Sequence, residues 1–105
     1  MAWAPKDPSD VLDYVFDWTT ELAVEGDTID TSTWVITSDT EATPTLTEDS
    51  NEIIAPANLI TRVWLSSGTA DVSYKVENTI TVASGPPTRI YQRYAILKVK
   101  QVKVS

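Results

Sequence analysis

The sequence contains no histidine and no cysteine. Without imidazole it lacks the commonest general base, the commonest metal ligand and every triad built on histidine. Without thiols it has neither a disulfide framework nor a thiolate metal site, and the redox compartment stays open. Glycine is scarce, three in 105 residues, which leaves no glycine-rich phosphate loop. No window approaches the roughly eighteen apolar residues of a bilayer span, so no membrane insertion is expected. The opening MAWAPKDPSD has no apolar core of signal-peptide length.

Cations are missing from a long stretch. Between Asp7 and Thr61 there are thirteen acids and no Lys or Arg, whereas Arg62 to Ser105 holds seven bases and two acids. The net charge is −7. Such acidity argues against nucleic acid as a partner. The two halves either interleave as neighbouring strands that pair their charges, or give the molecule an acidic and a basic face suited to head-to-tail contact with copies or neighbours.

What is present is strand-forming. Thr and Val are abundant, and four Trp and four Tyr supply bulk for one modest core. The chain is long enough for a single domain over residues 1–105. Its most informative stretch is Trp64 to Val82, WLSSGTADVSYKVENTITV, a strand, a turn at Ser66-Ser67-Gly68 and a long second strand. In that second strand Val72, Tyr74, Val76, Ile80 and Val82 alternate with Ser73, Lys75, Glu77, Thr79 and Thr81, so one face is buried and one is wet. Leu65, Gly68 and Tyr74 match the corner of an immunoglobulin-like sandwich, where a tyrosine anchors the strand after the turn.

Elsewhere, residues 1–10 read as an extended lead-in that Pro5 and Pro8 confine to an edge. Val11 to Trp18 alternates as a strand with Leu12, Tyr14, Phe16 and Trp18 on one side, although Val11, Val15, Trp18 and Leu22 also fit a helical stripe. The strand is preferred because aromatic and β-branched residues dominate. A turn at Glu25-Gly26-Asp27 leads to a strand over Thr28–Ile36 with Trp34 and Ile36 inward. Residues 37–58 form a polar loop and edge, with short strands at Thr45–Thr47 and near Ile53. Leu59–Leu65 is a strand, and its Trp64 is expected at the centre of the core. After a turn at Gly85-Pro86-Pro87, the last strand needs a bulge near Tyr94-Ala95 to reconcile its apolar parities. The Lys–Val alternation of Lys98 to Val104 suits an exposed final edge. About seven strands make an all-β, immunoglobulin-like antiparallel sandwich, with Trp18, Trp34, Trp64 and Tyr74 as core anchors.

Chemistry is sparse. Asp13 and Asp17 share a strand face but stand about 13 Å apart, too far for an acid–base pair around one glycosidic bond. Glu25, Asp27 and Asp30, and separately Glu48, Asp49 and Glu52, offer the hard oxygen donors calcium prefers. They lack a calcium-loop pattern, so neither a metal nor any other cofactor is assigned. Trp3 and Tyr91 are the rings least easily placed in the core, which makes them candidates for glycan contact.

The segments KDPSDVLDYVFDW (Lys6–Trp18), TIDTSTWVI (Thr28–Ile36) and VWLSSGTADVSYKVENTITV (Val63–Val82), with a closing strand carrying Arg89 and Arg93 before Leu97 and Val99, resemble a family of small phage virion proteins. These are short Ig-like proteins associated with adaptors that join tail fibres to the tail. The resemblance covers most of the chain except Thr37 to Asn58, where this sequence carries a longer polar insertion. It implies a non-enzymatic structural protein of the virion, assembled in the host cytoplasm, with other virion proteins and copies of itself as partners. No active site carries over. Trp3, Tyr91, Arg89 and Arg93 are the candidate interaction surface. A head decoration protein and a module binding a host glycan or surface protein are the alternatives.

Overall fold

The computed structural model describes residues 2–24, 26–84 and 88–101. The expected turns at Glu25 and at residues 85–87, and the last part of the Lys–Val tail from Val102, lie outside them. The described residues form six strands, β1 (Leu12–Asp17), β2 (Ile29–Ser38), β3 (Leu46–Ile53), β4 (Ile60–Ser67), β5 (Ser73–Val82) and β6 (Ile90–Lys98), and one short helix, α1 (Thr19–Ala23). They form two antiparallel three-stranded sheets, ordered β1-β4-β3 and β2-β5-β6. The sheets pack face to face as a β-sandwich, with six strands where about seven were expected.

The long alternating segment divides between the sheets as its corner residues require. β4 ends at Ser67, Gly68 adopts φ +98°, and β5 then joins the opposite sheet. A Cβ on Gly68 would come within 2.6 Å of the Val99 side chain, so both backbone angle and space demand glycine there. Tyr74 is fully buried at the start of β5, and its phenol oxygen accepts the Thr69 N–H at 2.9 Å. That bond fastens the corner to the strand it feeds.

The inner faces follow period two. Thr61, Val63 and Leu65 from β4 meet Tyr74, Val76, Asn78, Ile80 and Val82 from β5, with Ala95 and Leu97 from β6 alongside. β1 contributes Phe16, and Trp18 follows it into the core. Both periods seen in this stretch operate in succession, since the strand stops at Asp17 and a turn of helix then carries Leu22 into the core beside Trp18. Asp17 makes the switch, its carboxylate accepting the Thr19 N–H (2.9 Å) and hydroxyl (2.5 Å).

Three sequence expectations need correction. Trp64 is not a core anchor: it shares the parity of Arg62 and Ser66 and is 36% exposed, while Val63 and Leu65 occupy the interior. Three adjacent apolar residues, Val63-Trp64-Leu65, conceal which parity faces in. β6 has no bulge, since its register with β5 runs unbroken from Ser73↔Lys98 to Thr81↔Ile90. Ile90, Tyr94 and Ile96 simply face outward. The bulges instead lie between Ile29 and Thr31 and between Glu48 and Ser50. The two short strands expected at Thr45–Thr47 and near Ile53 are one eight-residue strand, β3.

The lead-in lies along an edge, and that edge belongs to β6. Ala2 bridges Ile96 and Lys6 bridges Val99, both in parallel, through Trp3 N–H to Ile96 O (3.0 Å), Lys6 N–H to Lys98 O (3.1 Å) and Lys100 N–H to Lys6 O (2.8 Å). Val99 is therefore fully buried and no part of an exposed edge. Lys6 secures the arrangement, its buried ammonium donating to Asp7 O at 2.9 Å and Ser67 O at 2.7 Å. Burial lowers its pKa, against the pull of Asp10, Asp7 and Asp49.

Candidate interaction surfaces

Of the four residues named as a candidate interaction surface, Arg89 is exposed and Trp3, Tyr91 and Arg93 are half-buried. Trp3 is half-buried, stacked on Tyr14 at 4.6 Å between ring centroids and tilted against Phe16 at 5.2 Å. Phe16 stacks in turn on Trp34 at 5.7 Å and meets Trp18 edge-on at 6.3 Å. Tyr91 packs against Trp18 at 6.5 Å. Trp3 and Tyr91 are thus half-buried rings with core neighbours.

Arg93 belongs to the same interior system. Its guanidinium lies 4.6 Å from the Trp18 ring centroid and 5.6 Å from that of Phe16, donates to Asp17 O at 2.9 Å and pairs with Glu21. It closes the open end of the aromatic array, its charge met by Glu21 from α1. Arg89 is exposed beside the start of β6, and its charge helps depress the pKa of Asp27. The larger cause there is the Ser84 hydroxyl, which donates to Asp27 at 2.5 Å.

Of the carboxylates considered for calcium, Glu25 lies outside the described residues, and Asp27, Glu48, Asp49 and Glu52 are used within the chain. Asp27 accepts the N–H groups of Thr28 (3.0 Å) and Ser84 (3.2 Å) and ties β2 to the end of β5. Glu48 accepts the Asn51 amide at 2.5 Å, Asp49 the Ser66 hydroxyl at 2.9 Å, and Glu52 pairs with Arg62 at 2.8 Å. No group of three potential metal ligands gathers among the described residues.

Two outer faces remain. On the first sheet, β4 presents Arg62, Trp64 and Ser66 between β1 and β3. In register, Trp64 lies opposite Asp13 of β1 and Ser50 of β3. Arg62, the next same-face residue of β4, lies within ion-pair distance of Asp13 (3.4 Å) and donates to Glu52 (2.8 Å). With Asp17 and Asp49 added, the face is a single exposed tryptophan in an acidic frame whose one cation is already paired. The second sheet's outer face is different. Thr33, Thr37, Thr79 and Thr81 form a largely uncharged floor, with Val35 on β2 and Ile90, Tyr94 and Ile96 on β6 exposed above it. Lys75 sits 4.7 Å from the Tyr94 ring centroid and 3.9 Å from Glu77. Charge therefore both interleaves, through Arg62 and Arg93, and segregates, because the first sheet keeps an acidic excess.

Trp64 was missed as a surface residue because it was assigned inward on local apolar density, while its parity with Arg62 and Ser66 marks the wet face.

A third feature lies at the end of the sandwich where the β2–β3 and β4–β5 connections meet. The Glu41 carboxylate accepts the Thr69 hydroxyl (2.6 Å), the Tyr74 phenol (2.5 Å) and the Thr45 N–H (3.1 Å). Those bonds, the Thr69 and Tyr74 hydroxyls foremost, take its pKa from 4.5 down to about 2. This end is thus built as one rigid unit from two loops.

Among the described residues no helix is long and apolar enough to cross a membrane. A family model, Gp77, described as podophage GP4 fiber-tail adaptor protein gp77, matches residues 6–98. The match takes in the lead-in from Lys6 and all six strands. No curated protein matches the chain.

Proposed function

The chain belongs to the Gp77 family of podophage fiber-tail adaptor proteins, and from that premise we propose that its acid-framed Trp64 face is one of the surfaces by which it joins fibre to tail. It is a structural component of the phage tail and not an enzyme. An adaptor must hold two neighbours in fixed relation, and a sandwich whose corner, lead-in and loops are each tied by named hydrogen bonds supplies that rigidity at low entropic cost.

The observation that carries the reading is the family match over residues 6–98. The chemistry of the first sheet's outer face refines it. Exposed tryptophans in polar frames are the residue type that most often dominates binding energy. The surplus of Asp13, Asp17, Asp49 and Glu52 over Arg62 suits a basic surface on the tail or fibre protein. Such a contact forms faster at low salt.

The strand order supports the immunoglobulin-like assignment. Lettered B to G, the six strands form sheets B-E-D and C-F-G, the constant-type arrangement without its first strand. The lead-in bridges β6, strand G, in parallel, and so joins the other sheet from the one that holds the constant-type first strand. The Tyr74–Thr69 bond is placed as a tyrosine corner, at the start of strand F and reaching upstream.

The test is reconstitution. Purified chain mixed with fibre and tail proteins should yield a ternary complex that neither pair gives without it, and mass spectrometry should find it in tails separated from heads. Its absence from mature particles would end the adaptor reading. A ternary complex insensitive to Trp64→Ser and to salt would move the contact to another face.

A further inference from the structure

A sandwich of two three-stranded sheets has four edge strands, and three of these are guarded. β6 is covered by the lead-in, through the bridges at Ala2 and Lys6. β3 carries Glu48, Asp49 and Glu52 and is bent by a bulge. β1 is only six residues long and bears Asp13 and Asp17. Short length, charge, bulges and covering segments are the devices by which proteins keep edges from pairing with strangers.

β2 has almost none of them. It is ten residues long, with no Lys, Arg or Pro, one acid at Asp30 and a bulge confined to its beginning. Among the described residues it pairs with β5 on one side and with no strand on the other. Such an edge presents a row of backbone donors and acceptors that water satisfies in the monomer and that a second extended chain can pair with.

The sequence of the edge says which chain. From Ser32 to Ser38 it reads Ser-Thr-Trp-Val-Ile-Thr-Ser, nearly the same in both directions about Val35. Antiparallel pairing of two such strands about a two-fold axis at Val35 sets Ser32 against Ser38, Thr33 against Thr37 and Trp34 against Ile36 of the partner subunit. Residue parity is preserved, so the interior pair Trp34 and Ile36 stays on the core side and the threonines stay on the wet side. Asp30 falls opposite Thr40 and Asp39 opposite Thr31, so no like charges meet directly. A two-fold interface requires that a patch complement itself, and this strand does.

We propose that the β2 edge is the site where a second copy of this chain docks, joining two three-stranded sheets into one six-stranded sheet, β6-β5-β2 and its two-fold mate. The inference does not rest on the adaptor reading and uses neither the Trp64 face nor the residues around it. Seven paired residues span only about 24 Å, so the interface is at the small end of specific contacts and the dimer should be concentration-dependent.

Sedimentation of the full chain over a concentration series tests it. Wild type should pass from monomer to dimer as concentration rises. Val35→Lys places two cations side by side across the axis, on a residue already 52% exposed, and should stay monomeric with unchanged melting. Thr33→Lys with Thr37→Lys should do the same. Thr33→Lys with Thr37→Glu puts opposite charges across the seam and should dimerise, more weakly as salt rises. A wild type that remains monomeric throughout overturns the proposal, as does a dimer that survives Val35→Lys. If the monomer's β2 amides become protected from exchange only when a tail or fibre protein is added, the edge belongs to that protein instead.

Discussion

The side-chain oxygen of Asn78 accepts the indole N–H of Trp18 at 3.2 Å, deep between the two sheets. The same oxygen accepts the Thr61 hydroxyl at 2.6 Å, and the Asn78 amide donates to Ser32 Oγ at 2.8 Å and Thr33 O at 2.9 Å. One buried residue of β5 thus connects β4, the segment entering α1, and β2. Asn78→Leu keeps the bulk and removes every one of these bonds. It should destabilise the domain by about 2–4 kcal/mol, since buried donors lose their acceptor and the network is shared. Chemical denaturation measures this, and a loss below about 0.5 kcal/mol would show that the network contributes little.

Trp64 gives the opposite expectation. Because it lies on the outer face, Trp64→Ser should change stability by no more than about 0.5 kcal/mol, the usual range for surface positions. Trp18→Ala, at a buried site, should cost about 3–5 kcal/mol. Thermal melting of the two variants side by side separates the two roles. A large loss from Trp64→Ser would place that ring in the core after all.

The contrast shows what could be read from the sequence. The β5 alternation, the Gly68 corner and the edge-bound lead-in were all legible, because each rests on local rules of parity, φ and missing donors. Trp64 was not, since Val63-Trp64-Leu65 satisfies either parity and only the polar neighbours Arg62 and Ser66 break the tie. Asn78 carried no signal either, because a polar residue on an apolar parity looks like an interruption until its four partners arrive from distant strands. The packing of Trp3, Tyr91 and Arg93 was hidden for a related reason: they lie against core rings that their own short segments cannot reveal.

Gly68 should be irreplaceable by small residues. Gly68→Ala meets both an unfavourable φ of +98° and a contact of 2.6 Å with Val99. A loss of about 1–3 kcal/mol is expected, at the scale of one strained backbone position. Gly26 serves as the control, since its φ is +63° but no atom lies within 4 Å of an added Cβ. Gly26→Ala should therefore cost less. Equal losses at both sites would mean that the Val99 contact relaxes freely.

Acid should loosen the Glu41 end of the molecule. The folded pKa is about 2 against 4.5 for the free side chain, so the carboxylate stabilises the fold fully above pH 4.5. That contribution is lost progressively as pH falls from 4.5 towards 2, where the folded-state carboxyl takes up its proton. Asp17 and Asp27, each held low chiefly by a hydroxyl of Thr19 or Ser84, change in the same direction. Glu41→Gln should reduce stability at pH 7 and flatten its dependence on pH below 4.5, because the titrating group is gone. Proton exchange at the Thr69 amide, bonded to Tyr74 at 2.9 Å, reports on this end alone. Glu41→Gln should speed that exchange at neutral pH, whereas wild type should match the variant only near pH 2. If the two chains lose stability in parallel from pH 6 to pH 2, the carboxylate of Glu41 is not what holds the β2–β3 and β4–β5 connections together.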